Sequence, residues 1–185
     1  MSRNVRVARF SPINVALAGA GAVATVMLLL NQRHFRDLEA EFTSHLVGIF
    51  TLGRASHFDT TIWFGIGTNQ VAGLSVTFLC SSVILIAPLM VIAALILAVP
   101  GFRLRAVITS LLLSLGLAVG TNVLRFGLAA GAYQAYGMGG FDFVHRYGGA
   151  LMVIFAFMAS IILLVVVAIR VSRRYVPAHR KESVS

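Results

Sequence analysis

The chain has 185 residues, of which 58% are hydrophobic and only 11% charged, and its mean hydropathy is +0.91. A soluble domain of this length needs a charged surface that such a composition does not provide, so an ordinary soluble fold is excluded and an integral membrane protein is expected. The net charge of +9 does not point to nucleic acid, because the arginines sit beside apolar runs, where they act as topology determinants and as contacts to anionic lipid.

Arg3, Arg6 and Arg9 precede an apolar run over about 13–30 that begins like a signal peptide. Its length and the lack of an Ala-x-Ala-like cleavage site read as an uncleaved first transmembrane helix. In residues 33–52, Phe35, Leu38, Phe42, Leu46, Ile49 and Phe50 recur at helical spacing, opposite Arg36, Asp37, Glu39, Glu41 and Ser44. That pattern predicts an amphipathic helix on the outer leaflet or over the bundle, either packing or gathering substrate. Residues 53–71 are rich in glycine and hold Trp63, which suits a membrane interface, and Thr68-Asn69-Gln70. A loop or re-entrant turn is expected there.

The second transmembrane helix is expected over 72–99, kinked at Pro88 and closed by Pro100-Gly101, the third over 106–132 and the fourth over 143–169. The expected architecture is all-α: one integral membrane domain over 1–185, with about four transmembrane helices and an extracytoplasmic segment over 33–71. Arg3, Arg6, Arg9, Arg103, Arg105, Arg170, Arg173, Arg174, Arg180 and Lys181 fall on one side of such a bundle, and Arg33, Arg36 and Arg54 on the other. The positive-inside rule then places the protein in the cell membrane with both termini cytoplasmic.

The single cysteine, Cys80, excludes an intramolecular disulfide, and no Cys/His spacing marks a metal site. Taken alone, a cysteine in an apolar run is a small, soft hydrophobe. Its context is richer than that. Counted from Ala72, Cys80 falls about 12 Å into its predicted helix, and Arg125 falls about 10 Å down from Ala132 on the next. His145 opens the fourth. An intramembrane arginine costs about 2.5 to 10 kcal/mol or more unless it has a partner or water, so it marks function. Thr121 and Asn122 share a helix face with Arg125, and Thr77 and Ser81 share one with Cys80. Gly148 and Gly149 let neighbouring helices approach closely. A thiol beside a cation, with a histidine to move protons, is the apparatus of nucleophilic acyl transfer. Cys80, Arg125 and His145 are therefore the expected catalytic residues of an outward-opening site, with Asn122, Thr77 and Ser81 in support.

In that order, Cys80-Ser81-Ser82, Asn122-Val123-Leu124-Arg125 and His145 resemble the motifs of the exosortase/archaeosortase family of membrane cysteine transpeptidases. The resemblance covers about residues 70–160. It implies cleavage of a C-terminal sorting signal on exported proteins, a thioacyl enzyme at Cys80 and transfer to an acceptor, with Arg125 and His145 completing the triad. Ser82 stands where the family usually has glycine, and about four helices stand where typical members have more, a minimal core open to a partner membrane protein. Arg146 is the alternative third residue, but one residue of helix turns it off the His145 face. Expected partners are exported substrates and membrane lipids, with no nucleic acid and no cofactor. A haem between His57 and His145 is disfavoured because His57 falls in the predicted loop. The alternative to an enzyme is a membrane assembly factor whose Arg125 pairs with an acid on another subunit, Asp142 being the acidic residue of this chain expected near that depth.

Overall fold

The computed structural model describes residues 12–173, and the arginine and lysine positions of the charge pattern before and after them lie outside the described residues. The fold is mostly helical and also contains a small sheet. Helix α1 (Pro12–Leu30) runs almost directly into α2 (Gln32–Phe50); strands β1 (Arg54–Phe58), β2 (Thr61–Ile66) and β3 (Ala72–Ser75) follow. A single 3-10 turn (Phe78–Cys80) leads into α3 (Val83–Ala98), then α4 (Leu104–Asp142), a π-helical turn (Phe143–Gly148) and α5 (Gly149–Arg173).

Two helical stretches, Pro12–Leu30 and the run Leu104–Ser172, are long and apolar enough to cross a membrane, and Val83–Ala98 is apolar but shorter. The run Leu104–Ser172 doubles back on itself. Gly137 adopts φ 66° and ψ −153° inside α4, a conformation open to glycine and strained for other residues. Beyond this kink α5 returns along α4, so Leu164 packs with Val107 and Ala118 while Gly149 lies beside Arg125. Helix α1 packs on α3 in the opposite direction: Asn14 Nδ2 donates to the Phe102 carbonyl at 3.4 Å, and Gly21 faces Ala94. The bundle core is Leu85, Leu89, Ala93, Leu97, Val107, Ala118 and Leu164. Outward, α1, α4 and α5 present Val23, Met27, Leu112, Leu113, Phe155 and Ile162.

Three expectations are corrected. Residues 53–71 are not a loop throughout but hold β1 and β2, which with β3 just beyond them form a three-stranded antiparallel sheet of order β1-β2-β3. Thr61-Ile62-Trp63-Phe64 supplies β-branched and aromatic residues on alternating faces, burying Ile62 and Phe64 while Trp63 stays exposed. The β1–β2 turn is Asp59-Thr60, with Asp59 at φ 50°, a left-handed conformation that aspartate tolerates and that tight hairpins require. The expected helix over 72–99 starts only at Val83, because Ala72–Ser75 pairs with β2 instead. The helix expected to stop at 132 continues to the break at Gly137, and the helical segment beyond that break starts before 143 and passes through a π-helical turn.

Helix α2 forms as expected, and it turns its apolar residues away from the bundle rather than over it. Its buried residues are Glu39, Ala40, Thr43, Ser44 and Val47, whereas Leu38, Phe42 and Ile49 are exposed. Small side chains on the inward face let α2 lie close on α4: Phe50 covers Gly127, where a Cβ would come within 2.7 Å of the ring. A second core, formed by Ala40, Val47, Ile62, Phe64, Leu74, Val76, Phe126, Ala129 and Ala130, joins α2, the sheet and α4. Cys80, Phe141 and Val144 pack against its margin.

Candidate active site

Cys80 ends the 3-10 turn that follows β3, three residues ahead of α3, so it lies at the mouth of the bundle rather than two turns inside a helix. The backbone N–H groups of Cys80 and the three residues after it are all engaged. Cys80 N donates to Thr77 O at 3.1 Å and Ser81 N to Phe78 O at 3.3 Å; Ser82 N donates to Glu39 and Val83 N to Ser81 Oγ at 3.2 Å.

The three expected catalytic side chains meet. Cys80 Sγ lies 3.8 Å from His145 Nε2 and 3.9 Å from Arg125 Nη2. Arg125 comes from the middle of α4, where the helix continues past 132, and is 9% exposed. Its stem lies flat against α5 because residue 149 is glycine: a Cβ there would stand 2.6 Å from Arg125 Nε and 2.9 Å from Cγ. Arg125 Nε has no hydrogen-bond partner among the described residues.

His145 sits in the π-helical turn, which adds a residue to the helical register and swings the ring toward α4 and the thiol. The ring stacks on Phe141 with centroids 5.1 Å apart and planes at 9°. His145 Nδ1 has no hydrogen-bond partner among the described residues, so within them stacking, not a carboxylate or amide, holds that side of the imidazole. Arg146 points away and pairs with Asp142 at 3.5 Å. Asp142 is thereby engaged on the outside, and the acidic residue that reaches the site is Glu39. A cavity of about 280 Å³ bounded by Trp63, Tyr133, Met138 and Phe141 opens next to the His145–Phe141 stack.

The Cys80 thiol is lowered to about 7, chiefly by its hydrogen bond with His145. Partial burial opposes this, while the Thr77 hydroxyl and the charges of Arg125 and His145 reinforce it. The cause is ordinary: hydrogen bonds and cations favour the thiolate over the thiol.

The supporting residues are placed as follows. The Thr77 hydroxyl, at the start of the turn, helps to lower the thiol. Ser81 turns its hydroxyl to Glu39 Oε2 at 2.6 Å. Asn122 Nδ2 donates to the Cys80 carbonyl at 2.9 Å, to Glu39 Oε1 at 3.0 Å and to Ser82 Oγ at 3.2 Å. Ser82, standing where the resembled family has glycine, caps α3 at φ −61°, a conformation that needs no glycine, and its hydroxyl also bonds Glu39 Oε1. Thr121 bonds its own helix at Leu117 O and takes no part.

The residue that sequence reasoning missed is Glu39, expected on the solvated face of α2 and found 6% exposed. The signal was present. Ala40, Thr43, Ser44 and Val47 form a small-residue stripe at helical spacing, the type of face that packs against another helix, and Glu39 adjoins it. His57 lies in β1 rather than in a loop, and among the described residues no group of His, Cys, Asp and Glu side chains is arranged to hold a metal ion.

No family model, curated protein or solved structure matches the chain.

Proposed function

We propose that this chain is a membrane-embedded cysteine peptidase and transpeptidase of the exosortase/archaeosortase type. It cleaves the C-terminal sorting signal of exported proteins through a thioacyl intermediate at Cys80 and passes the protein to an acceptor. The observation that carries this reading is the position of Cys80 Sγ between His145 Nε2 at 3.8 Å and Arg125 Nη2 at 3.9 Å.

The chemistry follows from that placement. The Cys80 thiolate attacks the scissile carbonyl carbon, and the tetrahedral oxyanion develops beside Arg125. The N–H groups of residues 80–83 are engaged, so they do not serve as oxyanion donors, and the guanidinium beside the thiol takes that role. His145, protonated on forming the thiolate, delivers its proton to the leaving amine as the C–N bond breaks. The acceptor then attacks the thioester carbonyl, His145 takes its proton, and the C–S bond breaks to restore the thiolate.

In this reading α1, α3, α4 and α5 each cross the membrane, with both termini cytoplasmic and the exposed apolar side chains of the bundle facing lipid. Arg125 lies 21 residues along α4 from Leu104, about 30 Å at 1.5 Å per residue, which equals the thickness of the hydrocarbon core. The site therefore lies at the outer boundary of the bilayer, where water and an exported substrate reach it. The sheet and α2 form a cover over it.

The test is processing of an exported protein ending in a short motif, an apolar helix and arginines, co-expressed with the chain. Cys80→Ala, Arg125→Ala and His145→Ala should each abolish processing while still accumulating in the membrane, and normal processing by Cys80→Ala overturns the reading. The assembly-factor alternative would draw on the unpartnered Arg125 Nε, but that atom faces Gly149 inside the bundle. A stoichiometric subunit co-purifying through Arg125, together with an inert Cys80, would establish it.

A further inference from the structure

We propose that Glu39 is a positioning residue for the nucleophile: from α2 it pins the two residues after Cys80 and the Asn122 amide, and so sets the thiol between Arg125 and His145. The inference rests on the reading of Cys80 as a nucleophile.

The geometry is that of a buried acceptor ringed by donors. Glu39 Oε2 accepts from Ser81 Oγ at 2.6 Å and from Ser82 N at 3.1 Å. Oε1 accepts from Ser82 N at 3.0 Å, from Ser82 Oγ and from Asn122 Nδ2 at 3.0 Å. All four residues of this network, Glu39, Ser81, Ser82 and Asn122, are at most 6% exposed. A carboxylate only accepts, so it suits such a ring, whereas an amide of the same shape would turn an N–H2 toward donors. No lysine, arginine or histidine among the described residues forms an ion pair with Glu39 within hydrogen-bonding reach, so the charge is held by polar groups alone. Retaining a buried carboxylate at that cost needs a gain.

The gain is control of the turn. Asn122 is oriented by Glu39 and in turn holds the Cys80 carbonyl, and Ser81 and Ser82 are fixed from the other side, so Cys80 is tied both to α2 and to α4. Arg36, one turn before Glu39, adds a bond to the Val76 carbonyl at 3.3 Å, tying the incoming strand to the same helix. The charged and titratable groups around the thiol are thus His145 from the π-helical turn, Arg125 from α4, and Glu39 and Arg36 from α2.

A positioning role and a purely electrostatic role predict opposite signs. A negative charge near a thiol disfavours the thiolate, so if Glu39 acted by charge alone, Glu39→Gln would lower the thiol titration midpoint. If Glu39 positions the turn, Glu39→Gln loosens Cys80 from His145 and Arg125, and the midpoint rises toward about 8.5, the ordinary thiol value.

The experiment is alkylation of Cys80 by iodoacetamide across pH, on the full chain purified in detergent and followed by mass spectrometry, with thermal melting alongside. For Glu39→Gln we expect a raised midpoint and a rate at pH 7 about tenfold below wild type, with partial recovery in Glu39→Asp, which keeps the acceptor set. A wild-type or lowered midpoint in folded Glu39→Gln overturns this inference alone. An ordinary thiol in the wild-type chain, insensitive to Arg125→Ala and His145→Ala, overturns the reading of Cys80 as nucleophile and this inference with it. If Glu39→Gln does not fold, Ser81→Ala and Asn122→Ser break the same network from its other ends. Wild-type Cys80 reactivity in both then overturns the inference, and a raised midpoint in both supports it.

Discussion

Arg125 lies against Gly149 so closely that a single methyl group at residue 149 would stand 2.6 Å from Nε, 2.9 Å from Cγ and 3.0 Å from Cδ. This contact between the middle of α4 and the first residue of α5 sets the path of the guanidinium to Cys80. Gly149→Ala should therefore displace the arginine. Alanine is the better helix former by about 1 kcal/mol, and a long flexible stem yields cheaply. The expected outcome is a melting temperature near wild type with substrate processing reduced at least tenfold, as displacing a transition-state cation typically costs. Processing and melting measured on the same preparation check it.

The thiol should titrate near neutrality. With its value lowered to about 7, the alkylation rate of Cys80 should rise with pH through about 7, and both Arg125→Ala and His145→Ala should move the rise upward. Folding stability follows the same group. Because the folded-state value lies below that of the unfolded chain, the stabilisation is fully present above the unfolded value and is lost as pH falls through about 7. The melting temperature of wild type relative to Cys80→Ser should increase between about pH 6 and pH 9.

A charge introduced at Asn122 should cost the fold as well as the site. Asn122→Asp sets a second carboxylate against Glu39 Oε1 and removes the donor to the Cys80 carbonyl. Two like charges in a site that excludes water do not both stay ionised. A loss of about 3 kcal/mol or more in stability is expected from breaking a buried charged network, measured by denaturant or thermal unfolding in detergent.

The outward apolar residues of α2 predict unequal costs at adjacent positions. Phe42 is exposed and Thr43 is fully buried. Phe42→Ser should change melting little, within about 0.5 kcal/mol for an exposed position. Thr43→Leu adds bulk where α2 meets the inner core and should cost about 1 to 3 kcal/mol. The opposite ranking, read from melting curves, would place α2 the other way round.

Much of this was legible in the residues. Long apolar runs and their arginine flanks mark α1, α3, α4 and α5, since composition and length alone decide whether a helix is apolar throughout. The order Cys80, Asn122, Arg125, His145 identified the residues that converge. The sheet was legible in Thr61-Ile62-Trp63-Phe64 but hidden by the glycines around it, which read equally as a loop. The depth of Cys80 was misplaced because Ala72–Ser75 is as apolar as a helix start, and only its pairing with β2 makes it a strand.

By itself, the sequence marked the reactive and charged side chains set in apolar surroundings and the segments that are apolar, because both are properties of residues and of short periodic runs. Tertiary structure alone decided that α2 turns its small polar face inward, that Gly149 clears a path for Arg125, and that Glu39 reaches the turn after Cys80. Each of these depends on which surfaces meet across elements far apart in the chain. The free energy of burying Glu39 is set by donors at residues 81, 82 and 122, and no pattern local to α2 contains them.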